Sequence, residues 1–125
     1  MPANTDFQPR IARQGDISTS IAAGKTESAI FNNKGMSVIA IETPSNFTTA
    51  TLTFKKVPIN GNNANATKTV NDLSQEVFSI SAEPDGYYPV PAGIFGGIDQ
   101  FKVIADTAQT EEVDIAFVQI PFLYS

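Results

Sequence analysis

The chain has 125 residues, a formal net charge of −5 and neither cysteine, histidine nor tryptophan. Its length suits one domain with a core of its own, and the missing residue types exclude disulfides, zinc sites built on thiolate or imidazole, and Ser–His or Cys–His nucleophilic pairs. The acid excess argues against a nucleic-acid or anionic-membrane surface.

Residues 1–15 hold Pro2, Pro9 and Gly15 with Phe7, Arg10, Ile11 and Arg13 between them. Prolines so placed predict an extended arm rather than a helix, and about 12 extended residues reach some 35–40 Å. Two readings of this stretch stand side by side: a frayed terminus or edge strand, and an arm that docks on a partner. The stretch lacks the apolar run of a signal peptide, and no segment approaches the ~20 apolar residues of a membrane span, so the expectation is a product made in the cytoplasm that stays soluble or is exported only as part of something larger.

From residue 16 to residue 125 the pattern is that of a single β-domain. Ile17 to Ile21 alternates loosely and ends at Gly24, and Glu27 to Phe31 stops at the turn sequence Asn32-Asn33-Lys34-Gly35. Met36 to Thr43 is nearly all apolar, which predicts a strand buried on both faces, and Pro44 ends it. Ala50, Leu52 and Phe54 alternate with Thr51, Thr53 and Lys55, a period of two. Asn60 to Asn65 is a polar loop. Thr67 to Leu73 and Glu76 to Ser81 predict two short strands, and Asp85-Gly86 a turn. Pro89 and Pro91 make Tyr87 to Ala92 extended, and the segment from Pro91 to Gly97 holds at most one helical turn. Ile98 to Ala105 and Val113 to Leu123 are long strands, the last being the most apolar part of the chain. Eight or nine short strands with regular turn signals and no convincing helix predict an all-β fold, an antiparallel β-sandwich or jelly roll.

Little of the remaining side-chain chemistry converges. Asp85, Asp99, Asp106, Glu111, Glu112 and Asp114 all lie in the C-terminal half, but no spacing sets two of them across a single bond as a glycosidase requires. Glu112 and Asp114 share one face of a strand, a weak pattern for calcium. Gly93, Gly96 and Gly97 lack the lysine and the strand-to-helix setting of a phosphate loop. Tyr87-Tyr88 reads either as a sugar-stacking platform or as cover for a core edge. No catalytic residue, metal or cofactor is expected.

The segment Pro44 to Phe54 resembles small structural proteins of tailed bacteriophages: a strand ending in proline, then an aromatic residue, a threonine and a small residue, then an alternating strand. Pro91 to Phe95, the strand Phe101-Lys102-Val103-Ile104 and the closing strand Ile115 to Phe122 follow in the same order, so the resemblance spans about residues 36 to 123. Where such proteins often carry tryptophan before the threonine, this chain has Phe47. The resemblance implies a virion component made in the host cytoplasm, most plausibly a decoration or cement protein on the capsid surface with the major capsid protein as partner. A non-enzymatic role agrees with the residues themselves. The C-terminal strand carries large apolar side chains on both faces, and burying three of them between subunits contributes roughly 5–9 kcal/mol before association costs. That predicts a homo-oligomer, a dimer or trimer, joined through Phe117, Ile120 and Phe122. On the arm, Phe7 and Ile11 are expected to fill apolar pockets of a shell protein while Arg10 and Arg13 pair with its carboxylates. The alternatives are a tail- or fibre-associated virion protein and a carbohydrate-binding module using Tyr87, Tyr88 and the loop from Asn60 to Asn65.

Overall fold

The computed structural model describes residues 17–58 and 67–121. The expected arm over residues 1–15, the loop from Asn60 to Asn65 and Phe122 lie outside the described residues. Nine strands follow in chain order: β1 (Ser18–Ile21), β2 (Phe31–Asn32), β3 (Ser37–Glu42), β4 (Ala50–Val57), β5 (Lys68–Thr69), β6 (Ile80–Ala82), β7 (Tyr87–Pro89), β8 (Gln100–Ala105) and β9 (Val113–Ile120). No helix occurs among the described residues.

The strands form two antiparallel sheets. One has the order β1-β9-β3-β7; in the other, β2-β8-β4 continues to β5 and β6, which both pair with the free side of β4. Counting β5 and β6 as two halves of one interrupted strand, the chain crosses between sheets at every step except from β4 to that strand, the jelly-roll order, with first and last strands adjacent. The sequence expectation of a jelly-roll-like sandwich therefore holds. Interior strands run six to eight residues, whereas those on the outside, β1, β2, β5, β6 and β7, run two to four. Short outer strands blunt edges that would otherwise template pairing with another chain.

The period of two decides what goes inside. Ala50, Leu52 and Phe54 of β4 are buried, with Leu52 beside Ala105 and Phe54 beside Val103 of β8, while Thr51, Thr53 and Lys55 stay half-exposed. Val113, Ile115 and Phe117 do the same on β9. Phenylalanines fill the middle. Phe101 lies 5.2 Å from Phe31, 4.8 Å from Phe95, 5.3 Å from Phe117 and 6.1 Å from Phe54, ring centre to ring centre. Phe54 in turn touches Phe78 and Phe95. Tilted and edge-on pairs of this kind each add about 0.5–1.5 kcal/mol beyond the area they bury.

Jelly-roll connectivity gives the sandwich two unlike ends. At one end lie the turns between β1 and β2, β3 and β4, β6 and β7, and β8 and β9. There Gln109, which is almost fully buried, acts as a strand mimic: its Oε1 accepts from Thr48 N at 2.8 Å and its Nε2 donates to Thr48 O at 3.1 Å and Thr107 O at 3.2 Å. Gly24 N donates to Gln109 O, and Thr48 Oγ1 ties this turn to Thr110 as well, accepting from Thr110 N at 3.2 Å. At the other end lie the β2–β3 turn, the end of β4, the β7–β8 connection and the chain's entry into β1. Here Asn33 is wholly buried; its Nδ2 donates to the carbonyls of Met36, Phe95 and Ile98, and its Oδ1 accepts from Gln119 Nε2 at 2.6 Å. The preceding sequence reading placed Asn33 in an ordinary polar turn. The turn is there, with Lys34 at φ 57° and Gly35 at φ 75°, but it folds Asn33 inward.

Candidate interaction surface

Of the residues offered to a partner by the sequence, Phe7, Arg10, Ile11, Arg13 and Phe122 lie outside the described residues. Phe117 is 3% exposed and packs 4.5 Å from Phe31, so its ring belongs to the core between the sheets. Ile120 is half-buried and pairs in register with Ser37 on β3. The outer face of β9 is therefore less apolar than a reading of its composition suggests: Asp114 is exposed, Ala116 and Ile120 half-buried, and Val118 buried.

Tyr87 and Tyr88 point to opposite faces, as neighbours on a strand must. Tyr88 packs against the core, and its hydroxyl accepts from Glu83 N at 2.7 Å. The ring lies so close over Gly86 that any Cβ there would run into it, which explains the glycine. Tyr87 is 60% exposed and stands alone. The pair covers a core edge through one member and does not build a two-ring platform.

The carboxylates are dispersed and engaged in turns. Asp106 Oδ1 accepts from Thr51 N at 2.8 Å and Thr107 Oγ1 at 3.2 Å, and Glu111 Oε1 accepts from Asn46 Nδ2 at 3.1 Å. Asp85 occupies a turn at φ 58°. No group of three or more acidic side chains is placed to share a metal ion among the described residues. An open polar hollow of about 310 Å³ beside Asp106 is lined by Thr49, Thr51, Ser81 and Glu83.

The most exposed large apolar side chain among the described residues is one the sequence did not single out. Between β5 and β6 the edge strand breaks, and residues 71–77 leave the sheet as a small hairpin. Val70 N donates to Phe54 O, Phe78 N donates to Val70 O, and Asn71 pairs with Val77, so the hairpin closes on itself. Its tip is tightly made. Asp72 N donates to Glu76 O, Gln75 N donates to Asp72 O, and Asp72 Oδ1 accepts from Ser74 N at 2.8 Å and Glu76 N at 3.0 Å. These bonds hold Gln75 at φ 68°, a conformation most residues avoid. Val70 and Phe78 anchor the base in the core. The outcome is Leu73 held 76% exposed and Val77 53% exposed on a well-bonded support. Beside them runs a groove of about 370 Å³ lined by Asp72, Leu73, Val77, Phe78, Pro91 and Ile94.

Sequence reasoning assigned Leu73 and Val77 to flanking strands. The available signal was Asp72-Leu73-Ser74-Gln75-Glu76, in which an aspartate opening a turn can accept from the next backbone N–H groups. Compared with known proteins, the chain matches no family model, no curated protein and no solved structure.

Proposed function

We propose that this chain is a non-enzymatic structural protein of a bacteriophage virion, a capsid decoration or cement protein that binds and stabilises the head shell and associates with copies of itself. The observation that carries this reading is the hairpin 71–77. It presents Leu73 and Val77 to solvent from a support with closed hydrogen bonds and a core-anchored base. Holding apolar side chains out in water on a prearranged loop is unfavourable for an isolated domain and favourable for one that meets a partner, because little ordering is left for the binding step. The bacteriophage assignment itself comes from the resemblance of residues 36–123, and the major capsid protein is the partner it implies. The carbohydrate-binding reading has less support, since Tyr87 and Tyr88 face apart.

The test is co-sedimentation of the purified protein with capsid shells stripped of accessory proteins. Saturable binding that raises the shells' resistance to heat or chelators is the expected result. Shells that neither bind nor gain resistance would remove the decoration role.

A further inference from the structure

The basic residues are unevenly placed. Both arginines of the chain, Arg10 and Arg13, fall within residues 1–15, together with Phe7 and Ile11 and with Asp6 as the only acid. That stretch carries +1 in side-chain charge against −5 for the whole chain, which leaves −6 for residues 16–125. The groove beside the hairpin has the opposite make-up. It is lined by apolar Leu73, Val77, Phe78 and Ile94 together with polar Ser74 and Ser79, and the hairpin that walls it carries Asp72 and Glu76.

We propose that residues 1–15 of a second copy dock in this groove, with Phe7 and Ile11 against Leu73, Val77 and Ile94, and with Arg10 and Arg13 toward Asp72 and Glu76. The proposal sharpens the self-association part of the functional reading and is independent of the shell. Topology puts a neighbour's groove within reach. Ile17, bonded through its carbonyl to Phe117 N, enters β1 at the same end of the sandwich as Pro91 and Ile94, but at the opposite edge of the sheet. Three strand spacings separate β1 from β7, about 14 Å. The chain from Ile17 back to Ile11 can span at most about 20 Å, and back to Phe7 about 34 Å. That reach exceeds the width of the sheet, so residues 7–13 have the length to pass beyond their own sandwich to a second copy; docking in the chain's own groove would leave the wild type monomeric. Because arm and groove are different surfaces, the contact is head-to-tail and builds a ring or a chain.

Two full-length variants test this by complementation. Phe7→Ser with Ile11→Ser spoils the arm; Leu73→Ser with Val77→Ser spoils the groove at exposed positions, so both variants should melt with the wild type. At micromolar concentration the wild type should sediment as an oligomer, less so at high salt. Each variant alone should associate at least about tenfold more weakly. An equimolar mixture should regain a heterodimer, since the sound arm of one meets the sound groove of the other. A monomeric wild type, a variant that associates as the wild type does, or a mixture that gains nothing would each overturn the proposal. So would an arm variant that loses shell binding while self-association persists. Failure of the wild type to bind shells, with complementation intact, would instead remove the decoration role and leave arm exchange standing.

Discussion

The two ends of the sandwich solve the same problem differently. Both must cover the open mouth between the sheets, and both do so with a buried amide rather than an aliphatic plug. At the Gln109 end the amide copies a backbone ladder onto Thr48. At the Asn33 end one side chain gathers three carbonyls from two separate turns and a second amide, Gln119. The first end is knit by neighbours in a ring of turns. The second depends on one residue, and it is also where β1 begins and where the groove opens. The difference teaches that the end carrying the variable connections is pinned from inside, so its rim remains available for contacts.

Substitutions can break or sharpen this contrast. Phe101 touches Phe31, Phe54, Phe95 and Phe117 and so holds the centre of the aromatic core. Phe101→Ala should cost about 3–5 kcal/mol and lower the melting of both ends in one transition, read by calorimetry alongside hydrogen exchange. Two separated transitions would mean that the ends fold apart. Asn33→Ala removes four hydrogen bonds from a buried site, although Phe95 O keeps Ile98 N, Ile98 O keeps Gly35 N and Gln119 Nε2 keeps Asn33 O, and it should cost about 3 kcal/mol in a urea titration. Gln109→Ala removes bonds to a partly solvated turn, and about 1–2 kcal/mol is expected in the same titration. Equal losses at the two positions would erase the distinction drawn here. At the smallest scale, Ser37 Oγ is buried without a hydrogen-bond partner among the described residues. Ser37→Ala should leave the urea midpoint unchanged or raise it slightly, by under about 1 kcal/mol.

The sheet architecture was legible because it rests on local alternation. Ala50, Leu52 and Phe54 declare a strand and its inward face within five residues, and Val113, Ile115 and Phe117 do so again. Strand lengths were less legible. Glu27 to Phe31 reads as a strand, but only Phe31–Asn32 joins the sheet, with Glu27 and Ser28 making isolated bridges. Asn33, Gln109 and Gln119 were invisible as core residues, because a buried amide is set by carbonyls up to 86 residues away and leaves no periodic mark. Leu73 and Val77 were missed for a related reason. A hairpin extruded from mid-strand has the composition of the strand it interrupts, and only its hydrogen bonds reveal that it leaves the sheet.

The outermost strands, none longer than four residues, bear on how such a protein tolerates crowding. Displayed at high density, copies are denied long runs of free main-chain donors and acceptors along which cross-β growth proceeds. Encounters between neighbours are then left to side chains, which a sequence can tune one residue at a time.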